Sequence, residues 1–83
     1  MIESNRTMEQ ARRDVAAGRL TSALLVRLPM SRRAWTIRLA GRKGDAGMLL
    51  ELQTLEPMVF TSVDTAVQSL EAIGFVVDQL KVQ

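Results

Sequence analysis

The sequence predicts one α+β domain: a mainly antiparallel sheet of 4-5 short strands with two helices, in the order α-β-β-β-(β)-α-β. Three observations carry this. Trp35, Ile37 and Leu39 alternate with Thr36, Arg38 and Ala40, the period-2 pattern of a strand with one buried face. Met48 to Leu52 alternates in the same way and is joined to the first run by the glycine-punctuated loop Gly41 to Gly47. Val63, Ala66, Val67, Leu70 and Ile73 recur at helical spacing and stop at Gly74. Eighty-three residues allow one domain and not two.

Taken in order, residues 1–6 are polar and expected to be disordered. Thr7 to Ala17 has a helical stripe of Met8, Ala11 and Val15, with Asn5 or Thr7 as N-cap and Gly18 as the residue that ends it. Arg6, Arg12, Arg13 and Arg19 make this helix basic; it reads either as a solvated, loosely packed surface helix or as a mobile arm that orders on a partner. Leu24, Val26 and Leu28 share one face of a strand that Pro29 closes. Arg32 and Arg33 form the exit of the turn that follows. Thr54 to Pro57 reads as a turn, and Met58-Val59-Phe60 as a short further strand or an extended approach to the second helix. Thr61 and Asp64 have the spacing of a capping box. Phe75 is placed to fold back on the last helical turn, and Phe75 to Val82 reads as the final strand. An exposed apolar edge, Leu24–Leu28 or Val76–Val82, is expected to pair two copies into a homodimer.

Composition excludes several chemistries. With no Cys there is no disulfide, thiolate metal site or thiol nucleophile, and with no His there is no imidazole base or ligand. The carboxylates lack metal-site spacing, and no base accompanies the hydroxyls of Ser22, Ser31, Thr36 or Ser62. The expectation is therefore a non-enzyme with no catalytic residues, no cofactor and no metal. No apolar run approaches the roughly 20 residues of a membrane span, so the expected setting is cytoplasmic. Trp35, in register with Ile37 and Leu39, is expected in the core rather than at a ligand.

Charge is the feature that points to a partner. Residues 1–43 carry a balance of +7 and residues 44–83 one of −5, for a net +2. Either the halves neutralise each other within the fold, or the basic side meets nucleic acid, an acidic partner or a second copy. The candidate nucleic-acid-binding residues are Arg12, Arg13, Arg32, Arg33, Arg38, Arg42 and Lys43. Arg32 and Arg33 at one end of the Trp35 strand, Arg38 on its outer face, and Arg42 and Lys43 in the loop would form one surface if that face is open. Five phosphate contacts would give a log–log salt slope near −4.5 on duplex DNA, at about −0.9 per contact. The loop lacks the Gly-Lys-Ser/Thr ending of a Walker motif, so its glycines and cations would hold a backbone phosphate and no nucleotide-hydrolysis site.

The segments Ala34-Trp35-Thr36-Ile37-Arg38-Leu39, Met58 to Ala66, and Leu70-Glu71-Ala72-Ile73-Gly74 resemble the small partition-associated proteins encoded beside ParA- and ParB-type genes on plasmids and integrating elements. That resemblance spans roughly residues 24–80 and implies a bacterial plasmid or mobile-element accessory protein that contacts DNA or a DNA-bound protein. It transfers no catalytic residue. The chain departs from it at Met58-Val59, where a basic residue commonly precedes the Phe. The alternative function is an assembly module in which oppositely charged halves pair between copies.

Overall fold

The alternation in the middle of the chain builds the middle of the sheet. The computed structural model describes residues 2–30, 33–75 and 80–82. In it, β3 (Ser22–Arg27), β4 (Trp35–Ala40) and β5 (Asp45–Leu50) form an antiparallel meander. Its register runs from Ser22↔Ala40 to Arg27↔Trp35, and from Arg38↔Met48 to Ala40↔Ala46. Both flanks are parallel. β1 (Ile2–Glu3) and β2 (Arg6–Thr7) run along β5, and β6 (Leu80–Val82) runs along β3. The spatial order is β1-β5-β4-β3-β6, with β2 also on β5. The α+β class stands; the sheet is mixed, and two short strands precede the first helix.

Each helix is a crossover between parallel strands. α1 (Met8–Ala16) leads from the β1/β2 edge to β3, and α2 (Val63–Ile73) leads from β5 to β6. Both helices supply the core: Ala11 from α1, and Ala66, Leu70 and Ile73 from α2, meet Ala23, Leu25, Ile37, Leu39 and Leu49 from the sheet. Leu25, Ile37, Leu39, Leu49 and Ile73 are fully buried. Each such side chain contributes about 1.5–3 kcal/mol relative to exposure, against about 0–1 kcal/mol for a surface ion pair. Aliphatic packing between helices and meander therefore dominates the stability.

The ends of the helices follow from their sequence. Gly18 (φ 77°) and Gly74 (φ 119°) both adopt the left-handed conformation, and each closes a Schellman motif. In the first, Gly18 and Arg19 donate to the carbonyls of Val15 and Asp14; in the second, Gly74 and Phe75 donate to those of Glu71 and Leu70. Thr7 is the N-cap of α1, with its amide donating to Gln10 Oε1 at 3.0 Å. The N-cap of α2 is Ser62, whose hydroxyl accepts from Thr65 N at 3.3 Å, one residue later than the Thr61–Asp64 box expected from spacing. Val63, expected in the buried stripe, consequently lies outside it.

Other expectations are corrected by pairing. Residues 2–7 are not a frayed end: Ser4 N donates to Ala46 O at 2.7 Å, and Met48 N donates to Asn5 Oδ1 at 2.9 Å. The strand expected at Met48–Leu52 begins three residues earlier and ends at Leu50, so Leu52 is exposed. Of the two readings of Met58-Val59-Phe60, the strand is not formed and the approach to the second helix is what the segment makes, with Phe60 bridged to Trp35 and Pro57 to Leu50. β3 is an interior strand between β4 and β6, which removes Leu24–Leu28 as a dimerising edge. Residues 76–79 of the other edge lie outside the described residues, as does Arg32. Trp35 is half-buried and packs against the core rather than within it, with the Arg27 guanidinium 5.8 Å from its ring centroid.

Candidate functional site

The helix stop at Gly18 positions the site. The Schellman reversal turns the chain so that Arg19 meets the β4–β5 hairpin, and Thr21 N donates to Ala40 O at 2.9 Å. Gly41 fits against this turn because it has no side chain: a Cβ there would lie 1.8 Å from the Arg19 carbonyl oxygen. Gly41 N donates to Asp45 O at 2.7 Å, so the hairpin closes over Arg42, Lys43 and Gly44. Gly44 (φ 83°) supplies the left-handed residue that short hairpin loops commonly need.

The loop is therefore shorter than the Gly41–Gly47 segment expected. Asp45, Ala46 and Gly47 belong to β5, and Gly47 is buried under the Ser4 backbone, whose carbonyl oxygen would lie 2.0 Å from a Cβ there. What remains outside is Arg42 and Lys43, both exposed. They line a cleft of about 560 Å³ together with Ala17, Gly18, Arg19 and Asp45. A second groove, of about 420 Å³, adjoins it through Arg19 and Asp45 and adds Arg13, Asp14, Arg6, Gln10, Ser4 and Asn5.

Cations outnumber carboxylates here. Arg13, Arg19, Arg42 and Lys43 surround Asp45 and Asp14, and Asp14 is engaged by Arg6, whose Nε lies 2.5 Å from Asp14 Oδ2. A concave surface with this excess attracts anions, and a guanidinium with fixed donors suits phosphate oxygens. The C-terminal end of α1 opens onto the same cleft, and its partial negative charge favours the cations that crowd it.

The other candidate residues are dispersed. Arg12 faces α2: its Nε donates to Ala72 O at 3.3 Å, and it lies 4.0 Å from Glu9. α2 has no basic residue in its own last turn, so Arg12 serves that helix end from outside. Arg38 is half-buried on the sheet face opposite the helices, in register between Leu24 and Met48. Arg33 is exposed before β4, a strand of six residues, and so lies roughly 20 Å from the hairpin loop at about 3.3 Å per residue. Arg42, Lys43 and Arg13 are thus brought together, while Arg12, Arg33 and Arg38 stand apart. Arg19, read from sequence as part of a basic helix, is the residue that joins the two grooves; its position immediately after the helix-ending Gly18 is the signal that would have found it.

Among the described residues no three acidic side chains gather in a group able to hold a metal ion, and no helix is long and apolar enough to cross a membrane. Comparison with family models, curated proteins and solved structures finds no match to this chain.

Proposed function

We propose that this chain is a non-enzymatic accessory protein that grips the phosphate backbone of duplex DNA in the cleft between α1 and the β4–β5 hairpin. The observation that supports this reading is the convergence of Arg13, Arg19, Arg42 and Lys43 on two grooves that share Arg19. Such contacts fix position on a duplex and read no sequence, so binding is expected to be sequence-tolerant. The resemblance to partition-associated proteins adds a bacterial plasmid or mobile element as the setting.

Four phosphate contacts give a log–log salt slope of about −3.6. Gel shift of a short duplex at low salt tests the reading: retardation supports it, and no retardation overturns it. Wholesale pairing of oppositely charged halves, as the function itself, has less support than the cleft. The halves interleave in the sheet, where β5 from the acidic half lies between β1 and β4 from the basic half.

A further inference from the structure

The end of the sheet opposite the basic hairpin has the reverse character. Among the described residues, the large apolar side chains left exposed are Met30, Leu52, Leu55, Val59 and Val63. Met30 belongs to the β3–β4 turn, Leu52, Leu55 and Val59 to the segment between β5 and α2, and Val63 to the first turn of α2. The bridges Trp35↔Phe60 and Leu50↔Pro57 tie that segment to the same end of the sheet as the β3–β4 turn. Met30 is fully exposed, and Leu52 and Leu55 are 74% and 62% exposed.

Two of these residues are held in an unfavourable backbone conformation. Among the described residues, Met30 (φ 62°) and Leu55 (φ 57°) are the non-glycine residues with positive φ, where glycine or asparagine is the ordinary choice. Backbone strain clusters at functional sites, and here it coincides with the exposed apolar side chains of Met30 and Leu55. Exposed apolar side chains rimmed by charged residues mark an interaction surface.

We infer that this apolar end is a two-fold interface with a second copy of the chain. The rim supports a self-complementary contact. Arg27 and Arg33 flank the β3–β4 turn, whereas Glu51, Glu56 and Asp64 flank the other segment, and all five are exposed. A two-fold axis between the segments sets the cations of one copy against the carboxylates of the other. The same axis sends the two cationic clefts to opposite poles, so the interface does not depend on the DNA-binding reading and leaves both clefts open.

Analytical ultracentrifugation of the full chain from about 1 μM to about 200 μM, without nucleic acid, tests the inference. The expected result is a monomer–dimer equilibrium that Leu52→Glu with Leu55→Glu shifts at least tenfold toward monomer. Met30→Gly relieves the backbone strain and removes the side chain, so it retains the fold and also weakens the dimer. Arg42→Ala with Lys43→Ala leaves the dimer intact. A wild-type chain that stays monomeric at the highest concentration, or one that grows without limit head to tail, overturns the inference.

Discussion

Gly41 lies flat against Arg19, so close that a β-carbon on Gly41 would sit 1.8 Å from the Arg19 carbonyl oxygen. This approach holds the hairpin loop against the end of α1 and thereby sets the width of the cationic cleft. Gly41→Ala forces the two segments apart. The expected cost is about 1–3 kcal/mol, the range for overpacking a tight site, read as a lowered thermal midpoint together with weaker duplex binding. Wild-type stability and affinity in this variant would contradict the assigned geometry.

The same geometry makes Gly47 the clasp of the N-terminal segment. Its missing side chain admits the Ser4 carbonyl, and the Ser4–Ala46 and Met48–Asn5 hydrogen bonds flank it. Gly47→Ala is expected to release residues 2–7 from β5. Hydrogen exchange checks this: amides of the N-terminal segment gain fast exchange while those paired between β3 and β4 keep their protection. Uniform exchange across the sheet would show that the segment and the meander open as one unit.

Arg6 and Asp14 form a largely buried ion pair, with side chains 9% and 22% exposed. Arg6 also donates through Nη1 to Ser4 O at 2.8 Å, so it links the first strands to α1. Removing one partner of a buried pair leaves the other uncompensated, typically at about 3–5 kcal/mol. Because Asp14 retains some solvent, Arg6→Met is expected at the lower end of that range. A double-mutant cycle with Asp14→Asn, followed by denaturant unfolding, measures the coupling; additive effects would contradict it.

The helix α2 offers a test of register. Ser62, not Thr61, caps it. Ser62→Ala is expected to cost about 1 kcal/mol and Thr61→Ala close to nothing. Equal losses would restore the box expected from the Thr61–Asp64 spacing.

What sequence could reveal here was local. The Trp35–Ala40 alternation, the stripe ending at Ile73 and the stops at Gly18 and Gly74 each depend on neighbours a few residues apart, and each stands in the structure. What it could not reveal was tertiary. Gly41, Gly44 and Gly47 look alike in a sequence, yet only Gly44 serves the turn by its φ, while Gly41 and Gly47 admit the backbones of Arg19 and Ser4. That confusion lengthened the loop and hid the first three residues of β5. Residues 2–7 carried no periodicity, because their strands are two residues each and owe their place to β5. For the site, Arg42 and Lys43 were legible as an exposed basic pair. Arg19 was legible only as the residue after the Gly18 stop; that the reversal sets it against Gly41 of the hairpin is tertiary, and Arg12 could not be assigned to Ala72 without knowing that the helices lie side by side.

The salt dependence of duplex DNA binding by fluorescence anisotropy tests the central claim most directly. The cleft predicts a log–log slope of about −3.6 for the wild type, reduced by about two units in Arg42→Ala with Lys43→Ala and by about one in Arg19→Ala. Arg33→Ala, at the far end of β4, leaves the slope unchanged. A slope that Arg33→Ala flattens as much as Arg19→Ala does, or no binding at low salt, would contradict the assignment of the cleft as the nucleic-acid contact.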